Sequence, residues 1–286
     1  MKQITVISGK GGTGKTTIAA AFASLTKSKV MADCDVDAAD LYLILTPEVK
    51  EKHEFSAAKI ALVDKEKCIE CRKCIEVCRF SAVSDNFVVD PVSCEGCGVC
   101  YRICPTEAIK FEEKISGYHF VSDTRFGPMA HARLEIASEN SGKLVTLVRK
   151  KAREIAKNNK LDYILIDGPP GIGCPVIASL TGVNLALVVS EPTLSGIHDL
   201  ERVIDLTEHF KIKTLVCINK YDINRENVRR IEEICVKKSI KVAGKIPYDT
   251  EVNRAMRMEK TIIEYDPQSE IAQEITRIWN MIENEV

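Results

Sequence analysis

Eight of the twelve cysteines in this 286-residue chain fall into two copies of one spacing, C-x2-C-x2-C-x3-C. The first copy is Cys68, Cys71, Cys74 and Cys78. The second is Cys94, Cys97, Cys100 and Cys104, with Pro105 behind it. A tight loop carrying three cysteines at this spacing points three sulfurs inward, where they can wrap one iron–sulfur cube. The fourth cysteine does not easily reach that same cube. A disulfide framework is the first alternative. Met1 leads straight into a strand, with neither a signal peptide nor an apolar h-region, so the chain is expected in a reducing cytoplasm where disulfides are rare. Zinc is the second alternative. It normally takes two separated pairs that close one tetrahedron, whereas each run here offers three close ligands and a distant fourth.

Over roughly residues 60–112 the segment resembles the bacterial two-cluster ferredoxin. The resemblance implies two [4Fe-4S] clusters with crossed fourth ligands. Cluster I would take Cys68, Cys71, Cys74 and Cys104, and cluster II would take Cys94, Cys97, Cys100 and Cys78. One departure is visible: Pro105 follows the fourth cysteine of the second run, but Arg79 follows Cys78. Arg72, Lys73 and Arg79 crowd the first motif, and Glu95 and Glu107 flank the second. Positive charge stabilises the reduced, more negative cluster, so the two potentials are expected to differ.

The N-terminus carries the other constraint. Lys2 to Ser8 reads as a buried strand, a glycine-rich turn runs from Gly9 through Lys15, and Thr16 to Leu25 reads as a helix. Strand, loop and helix is the context in which G-x4-G-K-[ST] binds phosphate. Backbone N–H groups of Gly11, Gly12, Thr13 and Gly14 can close on the phosphates, and Lys15 can reach the β and γ oxygens. Thr16 offers a hydroxyl to Mg2+, and the helix N-terminus, continuing through Thr17, adds its dipole.

Lys10 is a lysine that an ordinary phosphate loop does not need. Lys10-Gly11-Gly12-Thr13-Gly14-Lys15-Thr16 resembles the deviant Walker A of the MinD/ParA, Mrp and nitrogenase iron-protein superfamily. That resemblance implies an ATP-dependent sandwich homodimer in which Lys10 contacts phosphates across the interface. It also implies roles along the rest of the chain. Asp35, in Asp33-Cys34-Asp35 at the end of a strand from Val30, would sit near Mg2+ and the attacking water. Asp167, ending a strand from Leu161, would reach Mg2+ through water. Asn219, in Cys217-Ile218-Asn219-Lys220, would read adenine, and Pro247 and Asp249, in Ile246-Pro247-Tyr248-Asp249, would close over the base. Lys10, Lys15, Asp35 and Asp167 are therefore the candidate catalytic residues. The chain looks like the branch of MinD/Mrp-like ATPases that carry an inserted ferredoxin domain. Glu191-Pro192-Thr193 followed by Asp199 resembles a further stretch of that branch. So does Gly127 to Arg133 followed by Glu139 to Lys143, to which no physical role attaches.

The order of elements implies an α/β class, a mostly parallel P-loop NTPase sheet with an inserted small α+β ferredoxin-like two-cluster domain. Further strands are expected at 184–190, 213–219 and 241–246, and helices at 141–159, 195–210, 224–238 and 268–284. Val, Ile and Leu dominate the strands, so both faces of the sheet should be buried. The insertion enters after Leu45-Thr46-Pro47, shortly after the switch with Asp35, and leaves near Glu113. The expected division is 1–58 and 113–286 for the ATPase and 59–112 for the insert.

Forty basic side chains balance 41 acidic ones, which argues against non-specific nucleic-acid binding. No run reaches transmembrane length. Ile271, Ile275, Ile278 and Ile282 form one stripe on the last helix, and acidic residues at its ends would repel anionic lipid, so a core role is expected for it. Cys34, Cys217 and Cys235 read as packed thiols, and His131 and His198 as structural histidines. Cys174, seven residues past Asp167, stays open between a lone metal ligand, a redox thiol and a small residue at a helix start. The expected function is ATP hydrolysis that gates electron transfer to a redox or metallocofactor partner protein. The alternative is an Mrp-like ATPase that assembles or delivers a metal cofactor.

Overall fold

A computed structural model describes residues 1–135 and 140–286. The described strands are β1 Lys2–Ser8, β2 Lys29–Asp33, β3 Glu48–Val63, β4 Ile109–Thr124, β5 Gly127–Leu134, β6 Tyr163–Pro170, β7 Leu185–Ser190, β8 Lys213–Asn219 and β9 Lys241–Ile246. The chain divides into two compact units. One comprises Met1–Lys52, His119–Arg133 and Ser141–Val286, and the other His53–Tyr118 and Leu134–Asn140. The second unit is wider than the 59–112 read from the sequence. Cysteine spacing marks ligands, whereas the unit's margins lie inside the 16-residue strands β3 and β4.

The first unit is an α/β sheet in the order β5-β2-β6-β1-β7-β8-β9, extended beyond β5 by its portions of β4 and β3. β1 lies parallel between β6 and β7, with Ile4 opposite both Leu165 and Leu185. Val, Ile and Leu fill both faces, as a parallel sheet covered by helices requires. The helix Lys15–Leu25 buries Ile18 through Ala23, and its small alanines let the backbone approach the sheet closely. Helices Ser141–Asn158, Leu194–His209, Arg225–Lys237 and Glu270–Glu285 lie within a residue or two of their expected positions. In the last of these, Ile271, Ile275, Ile278 and Ile282 are all buried, and Trp279 packs its ring 5.1 Å from that of Phe22. The isoleucine stripe is core.

The stretch from Gly127 that resisted a physical role is strand β5. It pairs in parallel with β2, Met31 opposite Met129 and Ala32 opposite Ala130. Met129, Ala130 and Ala132 are buried, Met129 on one face of the strand and the two alanines on the other. Of the accompanying stretch, Glu139 lies outside the described residues.

The second unit holds two short helices, Lys73–Glu76 and Val99–Ile103, over a small core that includes Ala61, Val83, Val89 and Ile109. The sequence duplication extends to the backbone. Left-handed residues recur at matching places in the two runs: Glu70 and Gly96, Arg72 and Gly98, Ser81 and Glu107. Gly96 has a second reason to be glycine, because a Cβ there would lie 2.3 Å from the Lys59 carbonyl oxygen. Among the described residues no helix is long and apolar enough to cross a membrane.

Candidate nucleotide and cluster sites

The phosphate loop joins β1 to the helix Lys15–Leu25. Gly14 takes φ 90°, and a Cβ on it would meet the Asn219 amide nitrogen at 2.4 Å, so the turn requires glycine. Lys15 is buried and ion-paired, its Nζ 2.5 Å from Asp35 Oδ2. Asp33, Asp35 and Asp167 are buried around it, with Asp33 directly opposite Asp167 in the β2–β6 register. Burial alone would lower the Lys15 ammonium, but the carboxylates of Asp167 and Asp35 outweigh it and hold the lysine above its ordinary value. Burial raises the carboxyl groups of Asp33 and Asp167, and in Asp33 the neighbouring acids push further the same way. Neither oxygen of Asp167 accepts a hydrogen bond of normal geometry, and Asp33 Oδ2 and the Thr13 hydroxyl are likewise buried without a partner. Such orphaned polar atoms are costly unless something polar occupies the space they face.

Above the loop lies a cavity of about 370 Å3, which Asp35 lines and which Asp33, Asp167 and Thr13, buried beneath it, do not reach. Gly11, Gly12, Gly14, Lys15, Thr16, Thr17, Asp35, Asn219, Pro247 and Asp249 line it, so the expected nucleotide residues converge on one site. Thr13, buried nearby, is held through its carbonyl, which accepts from the Asn219 amide at 2.7 Å. Lys220 Nζ donates to the Gly12 carbonyl at 3.1 Å. The end of β8 therefore braces the loop from one side. Tyr248 N–H donates to Asp222 at 2.7 Å, which anchors the segment carrying Pro247 and Asp249.

Lys10 does not line this cavity. Its ammonium contacts Glu191 Oε1 at 2.5 Å and donates to the Thr193 and Ser195 hydroxyls at 3.1 Å each, so all three of its protons are engaged. Glu191 also takes Lys220 at 3.2 Å. The sequence singled out Glu191-Pro192-Thr193 but gave Glu191 no role. The available signal was position: it follows Ser190, the last residue of the strand beside β1, and strand carboxyl ends form the site in open parallel sheets.

In the second unit the eight motif cysteines sort into two cavities. Cys68, Cys71, Cys74 and Cys104 line one, with Arg72, Lys73 and Thr106. Cys78, Cys94, Cys97 and Cys100 line the other, with Glu95, Phe80 and Phe111. In each, three sulfurs come from one run and the fourth from the other. The fourth cysteines accept backbone donors from four residues on: Ala108 N–H to Cys104 and Ala82 N–H to Cys78, both at 3.3 Å. Burial would raise the Cys104 thiol, but donation from Ala108 and Thr106 outweighs it and the net shift is downward. Among the described residues no three His, Cys, Asp or Glu side chains converge tightly enough for a single metal ion.

Cys34 and Cys217 are fully buried, and burial raises both thiols. Cys235 is buried and pushed up to about 11. Cys174 is exposed at the start of the short helix Cys174–Leu180. His131 is held by the Ser122 hydroxyl at 2.8 Å and stacks on Phe120, while His198 stands exposed beside Asp199.

The model of the CobQ/CobB/MinD/ParA nucleotide binding domain matches residues 4–262. The chain belongs to this family. An uncharacterized protein of Methanocaldococcus jannaschii is 33% identical over 283 residues, covering 98% of this chain and 96% of its own. The iron-sulfur cluster carrier protein of Pyrococcus horikoshii is 23% identical, covering 92% of this chain and 80% of its own. Pyruvate synthase subunit PorD of Methanothermobacter marburgensis is 40% identical over 52 residues, 18% of this chain and 64% of that subunit. Among solved structures, the septum site-determining protein MinD of Pyrococcus horikoshii, complexed with Mg-ADP, superposes with a TM-score of 0.61 at 18% identity, covering 99% of this chain and 96% of that one. The CobQ/CobB/MinD/ParA chain described here thus has the MinD fold, and its duplicated cysteine runs fit a ferredoxin-like insertion.

Proposed function

We propose that this chain is an ATP-hydrolysing iron–sulfur protein whose nucleotide state gates electron transfer to a partner protein. One observation carries the reading: complete four-cysteine sets line two separate cavities in a chain whose phosphate loop meets the buried Asp35 in a third. Complete sets suit resident redox clusters, whereas transfer scaffolds usually hold cargo with incomplete ones. The crossed cysteine sets fit one [4Fe-4S] cluster each, and no three of these side chains close on a single ion. Such clusters supply one-electron chemistry at potentials tuned by their surroundings.

The nucleotide reading follows from the family and from the orphaned atoms. Thr16 and Asp167 would hold Mg2+, Asp167 through water. Mg2+ there would satisfy a carboxylate that has no donor now and neutralise charge on the phosphates. Lys15 rests on Asp35 and would reach the phosphates from there, which frees Asp35 to orient the attacking water. Asn219, Pro247 and Asp249 would border the adenine, and Lys10 would serve a second protomer's phosphates in an ATP-dependent homodimer.

The Pyrococcus relative named as an iron-sulfur cluster carrier supports a second reading, assembly or delivery of a metal cofactor. Redox titration followed by EPR, on anaerobically purified protein in apo, MgADP and MgATP-analogue states, separates the two. Gated transfer expects at least one midpoint to move with the nucleotide, each 59 mV corresponding to about 1.4 kcal/mol of coupling. By linkage, ATP affinity must then depend on redox state. Identical potentials and identical affinities in all states would overturn gating and leave the carrier reading in its place.

A further inference from the structure

The two cysteine runs repeat so closely that their differences can be compared residue by residue. Cys78-Arg79-Phe80-Ser81-Ala82 corresponds to Cys104-Pro105-Thr106-Glu107-Ala108. Ser81 and Glu107 adopt φ 51° and 52°, and Ala82 and Ala108 each donate a backbone N–H to the fourth cysteine at 3.3 Å. Between these matched points stand two unmatched pairs, Arg79 opposite Pro105 and Phe80 opposite Thr106, of which the second reaches the cavities. Thr106 places its hydroxyl 3.8 Å from Cys104 Sγ, while Phe80 at the equivalent place lines the other cavity with an apolar ring. A cysteine that ligates iron is a thiolate and cannot donate, so the hydroxyl must be the donor. Arg79 beside Cys78 and Glu107 after Cys104 have the opposite sense but line neither cavity, whereas the charges that do line them differ in the same sense as the hydroxyl. Arg72 and Lys73 line the Cys104 cavity, and Glu95 lines the Cys78 cavity. Arg72 is partly offset by Asp85, 2.6 Å away, and its side chain is half exposed, so its charge is screened. The hydroxyl faces no such offset.

Hydrogen bonds to sulfur and positive charge both favour the reduced cluster, and an apolar neighbour and a carboxylate favour the oxidised one. We propose that the two sites form an ordered redox pair, in which the Cys68–Cys71–Cys74–Cys104 site holds the electron and the Cys78–Cys94–Cys97–Cys100 site passes it on, with Thr106 as the residue that sets the order. The proposal rests on the two-cluster reading above and goes beyond it by giving the pair a direction.

The experiment uses the full chain, purified anaerobically, with iron and acid-labile sulfide measured first. Cys97→Ser leaves the Cys104 site alone and Cys71→Ser leaves the Cys78 site alone, so each midpoint can be assigned by EPR titration. The Cys104 site is expected at the higher potential. Thr106→Val, similar in size, should lower it by about fivefold in the reduced-to-oxidised ratio, the worth of one net hydrogen bond. Thr106→Ser should keep it, and Phe80→Thr should raise the other site. A merely structural threonine would change cluster content without moving the midpoint of the clusters that remain. Equal midpoints, the reverse order, or a Thr106→Val midpoint equal to that of the unaltered chain would overturn the proposal. Iron far below eight per chain in the unaltered protein would instead overturn the two-cluster reading, and the order with it.

Discussion

Glu191→Gln tests what restrains the lysine that marks this family. Lys10 spends all three protons within its own protomer, on Glu191, Thr193 and Ser195, so it cannot meet a second protomer's phosphates without releasing them. The Lys10 and Glu191 side chains are 28% and 14% exposed. A pair of that exposure contributes no more than about 1 kcal/mol. A two-fold dimer breaks two such pairs, about 2 kcal/mol, so neutralising Glu191 should tighten the ATP-dependent dimer by about 30-fold. Sedimentation velocity with Mg2+ and a non-hydrolysable ATP analogue reads this directly. The pair is not a pH switch near neutrality. Burial pulls the Glu191 carboxyl upward, but donation from Lys10 and Lys220 outweighs it and holds the group below its ordinary 4.5. Its ionised form therefore persists above that value and is lost only as pH falls through the lowered one. Dimer affinity should accordingly be flat from pH 6 to 8 with respect to this pair. An unchanged or weaker dimer in the variant would refute the reasoning and make Glu191 an orienting partner of Lys10.

Three further outcomes follow from the geometry. Lys15→Ala leaves Asp33, Asp35 and Asp167 buried without their cation, so equilibrium dialysis should show no ATP binding and unfolding should come about 3 kcal/mol sooner, whereas Asp35→Asn should bind without turnover. Gly96→Ala would drive a methyl group onto the Lys59 carbonyl from a left-handed backbone, and iron analysis should show about half the iron lost, from the Cys78 site. Burial pushes the His131 imidazole from 6.5 down to about 4. The unfolded chain takes up the proton first, so this contribution is whole above pH 6.5 and fades as pH falls toward 4. The cost is about 2 kcal/mol between pH 7 and 5, and urea unfolding of His131→Phe should lack it.

The sequence reading succeeded where a local rule fixes a local outcome. Three cysteines at x2 spacing must share a loop, and a G-x4-G-K-T turn between an apolar run and an alanine-rich helix can hardly lie elsewhere than at a strand's carboxyl end. The isoleucine stripe of Glu270–Glu285 was legible for the same reason, since a 3.6-residue period has one buried face. Strand β5 was missed because Gly127 to Leu134 carries prolyl, histidyl and arginyl interruptions, and its place beside β2 depends on a partner almost a hundred residues away. The Lys10 network was missed for a stronger version of that reason. A motif states which residue is present, but an ammonium chooses among the acceptors that tertiary packing brings within hydrogen-bond reach. Here the start of the helix Leu194–His209 supplies two hydroxyls and the residue after β7 a carboxylate. Both Thr193 and Ser195 sit at that helix's first turn, and Thr193 caps it by accepting from Gly196 N–H at 3.0 Å. Freeing Lys10 therefore disturbs a helix start as well as an ion pair. Resting contacts of this kind, built from ordinary capping residues, leave no mark in a sequence motif, yet in the proposed dimer they would set how much nucleotide binding must supply before the lysine could serve a second protomer.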